Sequence, residues 1–216
     1  MMKRDLAIYG AGGFGKEIAC LVKKINERED IWNLIGFFDD GKKCGDSISH
    51  FGNVLGDIKT LNQWDTELNV VLAIGNHAVL KDIVKKIINP FIKFPNIISP
   101  VVNINDPDTF DIGIGNIIQS NCTMSCDVSI GDFNILNGAV VLGHDVKVGS
   151  FNTIMSGVRV SGEVTIGDDN FFGVSSIVLQ QLHIGCGVRL SAGSVMVTRP
   201  KDGKLYIGNP ARKCEL

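Results

Sequence analysis

The chain has 216 residues, with 21 basic and 23 acidic side chains and a formal net charge of −2. This balance lacks the basic surface that nucleic acid or an anionic membrane would require, so we expect neither partner. No apolar stretch approaches the ~20 residues of a spanning helix, and the first residues lack the apolar region of a signal peptide. We therefore expect a cytoplasmic protein without membrane insertion.

The first hundred residues alternate between strand and helix patterns. Apolar runs at residues 4–10, 34–40, 69–75 and 94–99 predict four strands. Residues 16–27 and 77–89 have the apolar spacing of amphipathic helices. This alternation is typical of a parallel sheet covered by helices, and it predicts an α/β Rossmann-like domain over residues 1–98.

A glycine-rich turn joins the first strand to the first helix. Gly10, Gly12 and Gly15 in GAGGFG fit the spacing G-x-G-x-x-G, in the strand–turn–helix context that this fingerprint requires. Such a turn brings backbone N–H groups and a helix N-terminus up to a phosphate. Asp39 and Asp40 follow the second strand, where a carboxylate can accept hydrogen bonds from a ribose.

The ligand of this turn is open at the level of sequence. NAD is one hypothesis, but the domain is smaller than the two halves of a full dinucleotide domain, and no residues for hydride transfer follow it. A smaller nucleotide-linked ligand suits the length better. A glycine turn without any ligand is the third alternative.

From about residue 112 a different pattern begins. Fifteen positions spaced by six residues, from Ile112 to Met196, are all apolar. Five Ile-Gly or Val-Gly pairs recur every 18 residues, at 112, 130, 148, 166 and 184. Three short strands per 18-residue coil, each with one inward side chain, make a triangular prism, so residues 99–216 are predicted to form a hexapeptide parallel β-helix with a C-terminal tail.

Polar residues also follow the 18-residue repeat. Asparagines recur at this spacing and would stack as a ladder; they are Asn116, Asn134, Asn152 and Asn170. The six cysteines follow no such pattern and have no zinc-ligand spacing with histidine, so we expect free thiols and no bound metal.

The glycine-turn segment YGAGGFGKE, the hexapeptide repeat and the terminal YIGNPAR together resemble the NeuD/PglD-type bacterial sugar O- or N-acyltransferases. The resemblance covers roughly residues 4–213. It implies a left-handed β-helix, acetyl-CoA as co-substrate, a nucleotide-linked amino sugar as acceptor, and homotrimers with active sites between subunits.

The catalytic pattern of that family is a histidine followed by an acid, shortly before an Ile-Gly or Val-Gly pair. LNGAVVLGHDVKVG is similar, so the resemblance implies His144 as general base, Asp145 as its acid and Asn137 near the acceptor. The implied substrate-binding residues are Gly12, Gly13, Phe14, Asp39, Asp40 and Gly75. The implied acetyl-CoA-binding residues are Thr153, Gly162, Val174 and Ala192. Thr153, Phe14 and Leu80 stand where relatives carry histidine or arginine.

The leading hypothesis is therefore an acetyl-CoA-dependent acetyltransferase that acts directly on a nucleotide-linked sugar. No cysteine or serine accompanies His144 as a nucleophile, which favours transfer without a covalent intermediate. The alternatives are an O-acetyltransferase of a sialic-acid-type or other sugar, an acyltransferase for a non-sugar acceptor such as an amino acid, and a non-catalytic hexapeptide scaffold.

Overall fold

A computed structural model describes residues 3–214. The chain divides after Pro100 into two compact units, which are described separately below.

The first unit is a parallel sheet with three helices. Its strands are β1 (Arg4–Tyr9), β2 (Trp32–Phe38), β3 (Val54–Gly56), β4 (Leu68–Leu72) and β5 (Ile92–Lys93), in the spatial order β3-β2-β1-β4-β5. Its helices are α1 (Gly13–Arg28), α2 (Ile58–Asn62) and α3 (His77–Lys86), and a short strand β6 (Ile97–Ile98) ends the unit. All four strand pairs are parallel. The last four residues of β1 and all of β4 are buried, as expected for a sheet with both faces covered.

Two details of this sheet differ from the sequence prediction. The strand beside β4 is Ile92–Lys93, which begins before the predicted run at 94–99. Strand β3 and helix α2 were not predicted. With three and five residues, they are too short to show the alternation or helical period on which sequence prediction depends.

The second unit is a triangular prism of two-residue strands. Its first face contains β7 (Asn103–Ile104), β10 (Thr123–Met124), β13 (Val141–Leu142), β16 (Arg159–Val160), β19 (Ile177–Val178) and β22 (Val195–Met196). Its second face contains β8 (Asp111–Ile112), β11 (Ser129–Ile130), β14 (Lys147–Val148), β17 (Thr165–Ile166) and β20 (His183–Ile184). Its third face contains β9 (Ile117–Ile118), β12 (Ile135–Leu136), β15 (Thr153–Ile154), β18 (Phe171–Phe172) and β21 (Arg189–Leu190).

Within each face, every strand pairs in parallel with the strand one coil away. From β8 onward the partners are 18 residues apart, whereas a 3₁₀ turn at Pro107–Thr109 lengthens the first coil. The predicted fold class, a Rossmann-like domain followed by a left-handed parallel β-helix, is confirmed.

The six-residue period fills the inside of the prism. Every predicted inward position from Ile118 to Met196 is buried, while Ile112 in the first coil is half-buried. The turns at the corners also repeat every six residues. From Gly115 to Gly193 each turn has one residue with positive φ, and most of these residues are not glycine.

The predicted asparagine ladder is confirmed. Each asparagine oxygen accepts two hydrogen bonds from the residue 18 positions later, one from its backbone N–H and one from its side-chain amide. For Asn152 these donors are Asn170 N and Nδ2, at 2.9 and 3.0 Å. The ladder ends at Val188, whose backbone N–H donates to Asn170 Oδ1 at 2.7 Å. All four asparagine side chains are buried, so the ladder satisfies polar groups that would otherwise be costly inside the prism.

The C-terminal tail continues the third face. Strand β23 (Leu205–Gly208) pairs in parallel with β21, and β24 (Ala211–Cys214) pairs with β23 in an antiparallel hairpin. None of the helices within residues 3–214 is long and apolar enough to cross a membrane.

We predict that Asn152→Ala destabilises the prism by about 2–3 kcal/mol, because it removes the acceptor of the buried Asn170 N–H. The measurement is equilibrium urea unfolding followed by circular dichroism. The matched control is Ser176→Ala, at the equivalent position of another column. The Ser176 hydroxyl is buried and has no hydrogen-bond partner among the described residues, so its removal should leave stability unchanged or slightly higher. Equal losses in the two variants would contradict the prediction.

Candidate active site

His144 and Asp145 lie at a corner of the prism, directly after β13 on the first face. Asp145 has the left-handed backbone of that corner, with φ of 58°, and its N–H donates to Cys126 O at 3.1 Å. The carbonyl of His144 accepts from Glu163 N at 2.8 Å. Both residues are therefore held by backbone bonds to the coils before and after them, while each side chain stays 55% exposed.

The two side chains form a hydrogen bond of 2.8 Å between His144 Nδ1 and Asp145 Oδ2. A carboxylate accepts hydrogen bonds, so the neutral imidazole carries its proton on Nδ1 and donates it to Asp145. The other ring nitrogen, Nε2, is then an unprotonated acceptor on an exposed side chain. This is the arrangement that a general base requires.

Gly162 lies one coil later, directly against the imidazole. A Cβ atom at this position would lie 2.6 Å from Cε1 and 2.9 Å from Cδ2 of His144, and closer still to Nε2. Only glycine leaves room for the ring at this place. Its N–H donates to no acceptor within the described part of the chain, so a backbone donor is available beside the candidate base.

A second group of predicted residues lies at another corner. Asn137 follows β12, and Val174 and Ala192 follow the third-face strands of later coils. The first face therefore separates this corner from the corner of His144, since β13 lies between Asn137 and His144 in the same coil. Thr153 lies in the third face and is buried. A single chain does not bring His144 and Asn137 together.

The first face itself is mostly apolar on its outer side. Val141, Ile177 and Val195 are each partly exposed there, and Arg159 is the exposed charged residue among them. Val174 and Leu179, at the two edges of the face, are 44% and 41% exposed. The predicted catalytic and acetyl-CoA residues thus border one apolar face.

The glycine turn of the first unit has the geometry of an anion site. Gly12 is the N-cap of the 16-residue helix α1, which has no side-chain cap and no acidic residue in its first turn. Gly15 approaches Gly10 so closely that a Cβ would collide with the Gly10 carbonyl oxygen. Gly12 and Gly13 are exposed, and Phe14 is half-buried in the first turn. The free N–H groups of such a helix end favour a negatively charged group.

Asp39 and Asp40 lie at the carboxyl end of β2, beside this turn. Both Asp39 oxygens accept backbone hydrogen bonds, from Ala11 N at 2.7 Å and from Gly41 N at 2.8 Å. Asp40 Oδ1 accepts from Ile58 N at 2.9 Å. Asp39 therefore holds the glycine turn in place, and Asp40 keeps one oxygen without a printed role in the loop.

A pocket opens at the same end of the sheet. Its wall is apolar on one side and polar on the other; the lining residues are Tyr9, Gly10, Asp39, Asp40, Gly41, Ile74, Val79 and Ile83. The Tyr9 side chain is buried, and its hydroxyl forms no hydrogen bond of normal geometry within residues 3–214. Burial raises the pKa of Tyr9, and the Asp40 carboxylate raises this pKa further, so the phenol stays protonated and can donate to a ligand. Gly75 lies in the exposed loop that follows Ile74.

Sequence reasoning missed Tyr9. The signal was its place immediately before the glycine turn, at the carboxyl end of a strand, where open α/β sheets bind ligands. Among residues 3–214 no group of three or more histidine, cysteine or acidic side chains is arranged to hold a metal ion.

Comparison with known proteins relates both units to one group. Residues 5–87 match the family model of the PglD N-terminal domain. The acetyltransferase domain of PglB from Neisseria gonorrhoeae, solved in complex with acetyl coenzyme A, has 29% identity and a TM-score of 0.88, over 99% of this chain and 100% of that one. The chain belongs to the NeuD/PglD-type acyltransferases. The family resemblance predicted from the sequence is confirmed.

Two more distant structures share the fold of this NeuD/PglD-type protein. PerB from Caulobacter crescentus, in complex with CoA and GDP-perosamine, has 23% identity and a TM-score of 0.86 over 98% of this chain and 97% of its own. WeeI from Acinetobacter baumannii has 24% identity and a TM-score of 0.85 over 98% and 100% of the two chains. No curated protein matches the chain significantly.

We predict that Gly162→Ala displaces the His144 ring, because the new Cβ would occupy the space of the imidazole. The ring ¹⁵N and ¹H resonances of His144 should show that the Nδ1–H bond to Asp145 is lost, while circular dichroism stays unchanged. Ser161→Ala, the neighbouring substitution, is the control and should keep the resonances of the parent chain. Unchanged His144 resonances in Gly162→Ala would refute this geometry.

Proposed function

We propose that the chain transfers an acetyl group from acetyl-CoA directly to the amino group of a nucleotide-linked sugar, with His144 as general base. The observation that carries the proposal is the His144–Asp145 pair, which leaves Nε2 exposed beside the free N–H of Gly162. The PglB domain, solved with acetyl coenzyme A, supports the identity of the acyl donor.

The chemistry follows from this arrangement. Nε2 accepts a proton from the acceptor amine as the amine nitrogen attacks the thioester carbonyl, and Asp145 stabilises the imidazolium that forms. The Gly162 N–H is placed to donate to the developing oxyanion. When the carbon–sulfur bond breaks, the imidazolium returns its proton to the leaving sulfur, which yields CoA and the acetylated amine.

The first unit supplies the site for the nucleotide. The N-terminus of α1, with Gly12, Gly13 and Phe14, suits a diphosphate. The pocket with Tyr9, Asp40 and the Ile74–Gly75 loop offers a phenol donor, a carboxylate and apolar walls to the remainder of the nucleotide. Asp39 acts mainly by fixing the glycine turn. These are features of a nucleotide handle, and they favour a nucleotide-linked sugar over a free amino acid as acceptor.

The acetyl-CoA site is proposed to form between copies of the chain in a homotrimer. The apolar first face offers a surface for a second copy, and its two edges carry different parts of the site: His144 and Gly162 on one, Asn137, Val174 and Ala192 on the other. Packing against a second copy would let one chain's His144 meet the other chain's Asn137. Thr153 would contribute from the third face. This proposal places the protein in the cytoplasm, where acetyl-CoA and nucleotide sugars are available.

We predict that His144→Ala lowers acetyl transfer at least about 100-fold, because the amine loses its proton acceptor, while acetyl-CoA still binds. The assay follows CoA thiol release over a panel of UDP-, dTDP- and GDP-linked amino sugars. His183→Ala is the control, because His183 is exposed on the second face, away from both corners, and should keep full activity.

Near-full activity of His144→Ala would reject His144 as the base. If the wild-type chain released CoA with none of the nucleotide sugars, the acceptor class would be wrong. Release with a hydroxyl acceptor in place of an amine would assign O-acetylation by the same base.

We further predict that two inactive variants restore each other. His144→Ala and Asn137→Ala would each inactivate the chain alone. After the two are mixed 1:1 under conditions that exchange subunits, about one quarter of the interfaces would combine an intact His144 with an intact Asn137, and activity should recover to about that fraction. A site contained within one chain would give no recovery, and a light-scattering mass of one chain would contradict the trimer.

A further inference from the structure

Asn137 is part of a chain of side-chain contacts that runs along its corner. Gln119, one coil earlier, donates from Nε2 to Asn137 Oδ1 at 3.0 Å. Asn137 donates from Nδ2 to the sulfur of Met155, one coil later, at 3.1 Å. The three residues are 18 positions apart, and all three side chains are half-buried. The backbone ladder therefore sets the spacing between these contacts.

The backbone of Asn137 is equally constrained. Its N–H donates to Ile154 O at 2.9 Å, and its carbonyl accepts from the thiol of Cys122 at 3.1 Å. Cys122 is buried, and this burial raises the pKa of its thiol, so the thiol keeps the proton that it donates. With the main chain fixed on both sides, the remaining freedom of Asn137 is rotation of its amide.

Met155 and Gln119 together select one direction of that amide. A thioether sulfur accepts hydrogen bonds and cannot donate, so only the NH₂ end of Asn137 can face Met155. The oxygen then faces Gln119, whose own amide supplies a donor. Rotation by half a turn would place Asn137 Oδ1 against the sulfur, with no hydrogen bond between them.

We propose that Gln119 is a positioning residue for the transfer reaction, because it fixes the Asn137 amide with its oxygen toward the earlier coil and its NH₂ group toward the later coils. The second Nδ2 hydrogen then remains available on the side of Val174 and Ala192, where the acetyl-CoA site is proposed. This inference rests on the proposed function, since it takes Asn137 to act near the acceptor. Met155 supports the same orientation as a weak acceptor.

The test compares a donor with an acceptor at position 119 in the full chain. Gln119→Lys keeps a donor opposite Asn137 Oδ1, whereas Gln119→Glu offers only acceptors and draws the NH₂ group to itself. We expect Gln119→Glu to lower kcat/KM for the nucleotide sugar about tenfold and Gln119→Lys to stay within about threefold of wild type. A merely structural role would not distinguish the two substitutions, since both add a charge at the same half-buried place.

A double-mutant cycle with Asn137→Ala locates the effect. If Gln119 acts through Asn137, the Lys and Glu substitutions give equal rates once Asn137 is alanine. Asn103→Ala, which removes an exposed amide–amide contact to Asn105 in the first coil, is the control and should leave kinetics unchanged. Melting temperatures of all variants are measured alongside the kinetics.

Three outcomes would overturn the inference. They are equal losses with lysine and glutamate, a glutamate effect that persists in the Asn137→Ala background, and full activity of Asn137→Ala itself. In each of these cases the wild-type chain still transfers acetyl, so the proposed function survives. Absence of transfer by the wild-type chain would instead reject the proposed function and the inference with it.

Discussion

The parallel backbone ladder between coils is the constraint on which the second unit depends. Each two-residue strand is too short to be stable alone, and it is held by the strands one coil before and one coil after it. The 18-residue step therefore repeats for side chains as well as for the backbone. Stacked columns result, and each column is a row of side chains at fixed spacing. The buried asparagine ladder, the His144–Gly162 contact and the Gln119–Asn137–Met155 chain are three such columns.

These columns explain why residues distant in sequence act together. His144 has room for its ring because glycine lies 18 residues later, and Asn137 has a fixed amide because glutamine lies 18 residues earlier. Each active-site residue is thus oriented by the equivalent position of a neighbouring coil. Substitutions in this unit are best judged by their column rather than by their neighbours in sequence.

Much of this architecture could be predicted from the sequence, because the period is written directly in the apolar residues. The inward positions from Ile118 to Met196, the asparagine ladder and the strand–turn–helix at Gly10 all follow from spacing. The family resemblance gave His144 and Asp145, and the structure shows the hydrogen bond that relates them. The resemblance alone could not show that His144 and Asn137 lie at different corners, because that depends on where each turn falls.

The features that sequence did not predict depend on side-chain packing. Strand β3 and helix α2 are too short to have a measurable period, and the buried hydroxyl of Tyr9 depends on how α3 and the end of β2 enclose it. Gln119 and Met155 carry no motif of their own. Their meaning comes from Asn137, and the 18-residue step from that residue would have found both.

The asparagine ladder also has a direction. Every side-chain amide donates toward the N-terminal coils and accepts from the C-terminal ones, so the four amide dipoles are aligned head to tail along the prism axis. Each asparagine in turn leaves an acceptor for the coil that follows, and Val188 fills the last acceptor with its backbone N–H alone. The stack is therefore polar, and a coil inserted before Val188 would continue the row of dipoles only if it brought its own asparagine at the matching position.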